Sequence, residues 1–280
     1  MLAAVLALAA SFTWGGSNIL AGLESRRRSV WTVTAVSQIA AAVGAGLALL
    51  IAGQPSPDFW HTLGPILGGA VGGLGTVAFY RALATGAMSV VSPIVAAQAV
   101  VPVAVGLLLG ERPGTLAYLG MAFAVGGVVL VSWSNGRNSD RAAKSAILLA
   151  ISAALCWGTM LVAFNIGGRE SPYWSVFDVR LASACAILVV FAVSKRRLDL
   201  AGKKAPVLAL LTCIGLLLTV ANILFTVAST LGYLSVGSIL GSLSPLVTTG
   251  YGQVVLHERL TASQWIGFAT VFVGIALLSV

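Results

Sequence analysis

The sequence predicts an all-α membrane protein of about ten transmembrane helices, arranged as two copies of a five-helix module. Composition is the first reason: the 280 residues are 58% hydrophobic and 9% charged, whereas soluble domains carry roughly 25% charged residues. The second is a succession of apolar runs near the ~20 residues that cross a bilayer, around 2–22, 30–52, 63–84, 88–109, 115–134, 145–166, 173–194, 206–231, 234–256 and 261–280. The third is a repeated stretch, SVVSPIVAAQAVVPVAVGLLLGER (89–112), which returns as SVGSILGSLSPLVTTGYGQVVLHER (235–259). Each copy opens with Ser-Val, ends in Glu-Arg, and precedes an apolar run that starts near Thr115 or Thr261.

The match extends backward. Trp14-Gly15 in the first run corresponds to Trp157-Gly158 in the sixth, and Phe79 aligns with Phe225. Residues 1–135 and 142–280 are therefore read as two copies of one unit. In a membrane chain, two such halves suggest a transporter with its site between them.

A formal charge of +8 would suggest nucleic acid in a soluble protein. Here the basic residues cluster in turns, where they set orientation. Arg26, Arg27, Arg28, Arg137, Arg141, Lys144, Lys195, Arg196, Arg197, Lys203, Lys204 and Arg259 fall in odd-numbered connections, and Arg112 and Arg169 in even-numbered ones. Odd connections are thus expected in the cytoplasm and both termini outside. No Lys or Arg precedes the first apolar run, so the basic leader of a cleavable signal is missing and the first helix is expected to be retained. Cys156, Cys185 and Cys213 lie inside helical runs and are read as core packing rather than a disulfide framework.

Along the chain, Ser11, Trp14, Asn18 and Gly22 recur at helical spacing, which puts a polar and small stripe on one face of the first helix. Gln38 is the one strongly polar interior residue of the second, read as scaffold. The third is glycine-rich for close packing and ends in Thr76, Tyr80 and Arg81, where the Tyr80 hydroxyl is expected to face a central space and Arg81 to reach the surface. The fourth joins Ser89, Ser92 and Ala96 to Gln98, with Pro93 and Pro102 in the run. Proline frees backbone carbonyls, which membranes tolerate where protein or a cavity satisfies them.

In the second half, Ser235, Ser238, Ser242, Pro245 and Thr249 make the equivalent stripe, with Gln98 roughly opposite Pro245 in alignment. Thr219, Asn222, Thr226 and Ser229 share one face of the eighth helix, the strongest polar stripe in the chain. Asp178 and Arg180 lie two apart and cannot face each other on a helix; both are placed near the interface. Thr261-Ala-Ser-Gln264 fits a capping box, and the Glu beside it would favour that helix's positive end, so the Glu-Arg pairs are read as structural.

With these duplicated modules, the Trp-Gly of helices one and six, and the Glu-Arg signatures followed by threonine, the chain resembles the EamA-type transporters of the drug/metabolite transporter superfamily and is similar to bacterial aromatic amino acid exporters. That resemblance implies two inverted five-helix repeats, a central cavity, alternating access, and export of amino acids or related small metabolites across the bacterial inner (plasma) membrane. It implies a cavity lined by Trp14, Asn18, Tyr80 and Gln98 from the first half and Trp157, Asn222 and Ser242 from the second. It also implies cytoplasmic termini, opposite to the orientation that the basic residues favour.

The expected partners are a small-molecule substrate and membrane lipids, without nucleic acid, cofactor or metal, and a monomer is compatible with this design. An intramembrane enzyme lacks support, since His61 and His257 sit in connections and no zinc-type spacing occurs. The alternative is a flippase for a lipid or lipid-linked metabolite, which would need a lateral apolar opening and a basic headgroup pocket.

Overall fold

A computed structural model describes residues 2–101, 105, 115–132, 141–193, 204–231, 244–258 and 260–278. Among them are the helices α1 (Leu2–Arg27), α2 (Val30–Ala52), α3 (Phe59–Thr85), α4 (Met88–Ala96), α5 (Thr115–Ser132), α6 (Arg141–Gly168), α7 (Pro172–Val193), α8 (Lys204–Leu231), α9 (Ser244–Val254) and α10 (Ala262–Leu278). A 3-10 turn, Ala97–Ala99, follows α4. The described residues contain no strand. Hydrocarbon offers no partner for a free backbone group, so a chain of this composition closes its hydrogen bonds within helices. Six of them, α1, α2, α3, α6, α7 and α8, contain stretches long and apolar enough to cross a bilayer.

The helices interlock across the two halves. α3 packs on α6 and α1 on α8; α3 packs on α7 and α2 on α8; α2 meets α7, α4 meets α9, and α5 meets α10. Exchanging each helix for its counterpart five places along leaves this set of neighbours unchanged, as a pseudo-two-fold arrangement requires.

The sense of the halves follows from which connections meet. Arg26 Nε donates to Leu83 O at 3.0 Å, its Nη2 donates to Gly86 O at 2.9 Å, and the same Nη2 pairs with Glu258 Oε1 at 3.2 Å. The α1–α2, α3–α4 and α9–α10 connections therefore share one end of the bundle. At the other end Trp174 Nε1 donates to Gln54 O at 3.1 Å, and the Ser171 hydroxyl bonds to Gln54 Oε1, which brings the α2–α3 and α6–α7 connections together. The α6–α7 connection corresponds to α1–α2 yet lies at the opposite end, so the halves run in inverted sense.

Association in lipid depends on close packing and interhelical hydrogen bonds more than on the hydrophobic effect. At Gly73 an added Cβ would lie 2.9 Å from Ser183 O, so the α3 backbone rests directly on that of α7. Ser183 Oγ seals the contact by donating to Gly69 O at 2.6 Å. Outward faces are apolar, with Leu50, Ile51, Val189 and Val193 exposed, as lipid contact requires. Two expectations change here. Cys185 and Cys213 face outward rather than into a core, and Arg180 and Asp178 are buried rather than interfacial, because α7 is flanked by α2, α3, α6 and α8. Arg81 is exposed, as expected.

The end that holds Arg26 and Glu258 carries the α1–α2, α3–α4 and α9–α10 connections, all odd-numbered, and the sequence puts most of its basic residues in odd connections. By the positive-inside rule that end is expected in the cytoplasm and both termini outside. A reporter active only in the cytoplasm, fused after Val280, should be silent; a signal from it would reverse the orientation.

Candidate functional site

A small cavity lies between the halves, lined by Asn18, Phe79, Ser92, Val95, Gln98, Trp157, Ser244 and Thr248. Asn18 reaches it from the stripe on α1. Ser92 and Val95 project from α4, and Gln98 from the 3-10 turn behind it. The backbone there is altered by Pro93, which has no N–H to return to the Ser89 carbonyl one turn earlier. A tightened turn within a helical run often marks a functional hinge. Gln98 and Ser244 each lie nine residues beyond the Ser that opens their copy of the repeat, Ser89 and Ser235, so the cavity wall carries both members of a duplicated position. Ser92 Oγ is buried and has no hydrogen-bond partner among the described residues.

The two tryptophans of the repeated Trp-Gly pairs are held in parallel ways. Trp14 Nε1 donates to Asn222 Oδ1 at 2.9 Å, and Trp157 Nε1 donates to Thr76 Oγ1 at 3.3 Å. Asn222 and Thr76 each stand three residues before the matched phenylalanines, Phe225 and Phe79. Those rings flank the same indoles, with centroids 5.2 Å from Trp14 and 4.7 Å from Trp157. The following glycines admit the opposing helix. An added Cβ on Gly15 would lie 2.6 Å from Val247 Cβ, and one on Gly158 would lie 2.5 Å from Val101 Cβ. Val101 and Val247 are again equivalent, each twelve residues beyond the Ser-Val start. The duplication thus extends to individual contacts.

Of the seven residues implied by the resemblance, Asn18, Gln98 and Trp157 line the cavity. Trp14 and Asn222 bond to each other beside it. Tyr80 is fully buried, with Arg180 and Ser37 in its surroundings. Ser242 lies outside the described residues, as do Pro102, Ser235, Ser238, Glu111, Arg112 and Arg259. Phe79, Ser92, Val95, Ser244 and Thr248 complete the wall without having been singled out for it; the alignment of Phe79 with Phe225 and the small face of the fourth helix were the available signals. The stripe on α8 serves packing in part, since Thr219 Oγ1 donates to Ala41 O at 2.8 Å and Thr226 Oγ1 to Asn222 O at 2.8 Å.

The family model described as the EamA-like transporter family matches residues 1–133 and 144–280. The chain belongs to that family. It is a multi-pass membrane transporter, and membership implies a small-molecule substrate. A solved structure bearing only the words "Crystal structure of protein" is similar in fold, with a TM-score of 0.64 at 18% identity over 98% of this chain and 95% of that one. No curated protein matches the sequence.

In this EamA-like chain the Glu of the second Glu-Arg pair does more than flank its own helix. The capping box at α10 forms, with Gln264 Oε1 accepting from Thr261 N at 2.9 Å and Thr261 Oγ1 from Gln264 N at 3.3 Å. The adjacent Glu258, however, caps α4. Its carboxylate accepts from Met88 N at 3.1 Å, Ser89 N at 2.9 Å and Ser89 Oγ at 2.8 Å. His257, at φ 52°, turns the chain so that Glu258 reaches across the halves, and Gly252 leaves room, since a Cβ there would lie 2.7 Å from Glu258 Oε2. The positive end of α4 thus receives the anion that the sequence assigns to α10. Capping side chains stabilise by about 0.5–2 kcal/mol, and the half-exposed Arg26 adds little. Glu258→Ala should therefore cost about 1–2 kcal/mol and lower the melting temperature in detergent, whereas Glu258→Gln, which keeps an acceptor, should cost less.

Proposed function

We propose that this transporter exports small amphipathic molecules, amino acids or close relatives, across a bacterial inner membrane by alternating access through the cavity between its halves. The observation that carries this is the cavity wall, drawn from α1, α3, α4, α6 and α9. Phe79 and Trp157 offer aromatic faces, while Asn18, Gln98, Ser92 and Thr248 offer both donors and acceptors. That combination suits a ligand with one apolar and one polar end. Among the described lining residues none is charged, which does not suit a phosphate headgroup and disfavours lipid flipping. The cavity is far smaller than the ~300–1,000 Å³ usual for small-molecule sites, so transport requires its walls to part. The end near Arg26 and Glu258 is tied across the halves in this form.

Purified protein in liposomes should support counterflow of L-phenylalanine or a near relative from a panel of amino acids. Trp157→Ala and Asn18→Ala should each lower the initial rate by roughly tenfold, the loss of about one hydrogen bond or ring contact, with expression and melting temperature near those of the unmodified protein. Unchanged rates in both variants would return these residues to packing.

Among the described residues the cavity wall holds no carboxylate, and proton-driven carriers commonly use membrane-embedded acids. Asp178, buried on α7, is the single acidic residue in the interior of a described helix away from its ends. Facilitated export down the substrate gradient follows, or coupling through Asp178 alone. Counterflow should proceed without a pH gradient, and Asp178→Asn should retain most of it. Strict dependence on an imposed proton gradient that survives Asp178→Asn would exclude both routes.

A further inference from the structure

Arg180 is buried in the bundle without a carboxylate to neutralise it. The ninth residue of α7, it is 3% exposed, and among the described residues no acidic oxygen lies within ion-pair distance of it. Its Nη1 donates to Gln38 Oε1 at 3.2 Å, and its Nε has no partner among the described residues. Gln38 is the ninth residue of α2, the helix that corresponds to α7 in the other half. A charge buried in a membrane protein is costly and marks function by default.

The directions of the hydrogen bonds indicate what it does. A guanidinium can only donate, so Arg180 turns the Gln38 amide with Oε1 toward α7 and Nε2 toward α3. There Nε2 donates to Thr76 Oγ1 at 3.2 Å. The Thr76 hydroxyl gives its own proton to Gly72 O at 3.0 Å and accepts Trp157 Nε1 at 3.3 Å. One donor and two acceptor sites are all a hydroxyl has, and here all are used. The equivalent indole's partner is not supported in the same way: Trp14 bonds to Asn222, whose Nδ2 has no partner among the described residues.

We propose that Arg180 is a positioning residue for the cavity, holding the Trp157 indole in the wall through Gln38 and Thr76. The inference rests on the proposed substrate site only in that Trp157 lines it. Its action is confined to one of the two duplicated tryptophans, so the walls of a symmetric cavity are fixed unequally.

The test observes the indole N–H signals of ¹⁵N-labelled protein in micelles, with Trp157 and Trp14 assigned by the loss of their signals in Trp157→Phe and Trp14→Phe. In Arg180→Met the Trp157 proton should move upfield and exchange with D2O roughly tenfold faster, as a weakened hydrogen bond allows, while Trp14 stays put. Arg180→Lys, which can still donate to Gln38, should leave Trp157 near its original position. The double variant Arg180→Met with Gln38→Met removes both partners together, a change that can be nearly neutral for folding, and should shift Trp157 in the same way if the single variant does not fold. L-phenylalanine counterflow should show a raised half-saturation concentration in Arg180→Met and no further rise when Trp157→Phe is already present. A Trp157 signal unmoved in the variant that folds, moved equally in Arg180→Lys, or matched by Trp14 overturns the proposal, as does a rise in half-saturation that persists without the indole N–H. The spectra need no substrate, so a protein that ignores L-phenylalanine would count against the proposed function while the relay is still decided.

Discussion

The largest helix interfaces join one half of the chain to the other, and this interlock governs the rest of the structure. α1 lies on α8 and α3 on α6, while α2, α4 and α5 each meet their own counterparts. The central apolar cluster accordingly mixes Ala21, Val33, Tyr80 and Ile94 from the first half with Ala150, Leu211 and Ile214 from the second. Because neighbours are exchanged across a pseudo-two-fold axis, a contact made once is made again wherever the sequence permits. The Trp14–Asn222 and Trp157–Thr76 bonds, and the glycines that admit Val247 and Val101, are such pairs.

A medium without water decides where polar groups go. Within the interlocked bundle the hydroxyl of Thr219 reaches a carbonyl of α2 and that of Ser183 a carbonyl of α3, since leaving them unmade would cost the full desolvation of each group. The start of α4 takes the Glu258 carboxylate from the far half for the same reason. Against that background the exceptions are informative. Among the described residues Ser92 Oγ and Asn222 Nδ2 are buried without partners, and Ser92 lines the cavity beside the amides of Asn18 and Gln98.

Much of this was legible in the chain. The number of helices follows from apolar length, and the relation between Trp14 and Trp157 from the repeated Trp-Gly. The capping box at Thr261 and Gln264 could be read from spacing alone, because its partners lie within one turn. The cavity was only partly legible. Asn18, Gln98 and Trp157 stand out as polar or aromatic residues in apolar runs, but Ser92, Ser244 and Thr248 are small and common in membrane helices, where such residues more often serve packing. Gln38 looked like scaffold and Arg180 like an interfacial residue, because nothing in either helix shows what faces it.

By itself the sequence determined the membrane environment, the helical class, the duplication and which connections carry positive charge, since each depends on composition or on spacing along one segment. Tertiary structure decided which face of each helix meets which neighbour. Spacing fixes the angle of a side chain about its own axis but neither the rotation of that axis nor the depth of its partner. The polar bonds that cross the bundle join residues 208, 142 and 81 positions apart, and Glu258 reaches α4 across 169 and 170. At such separations the partner is chosen by how two inverted halves pack, and only folding brings them together.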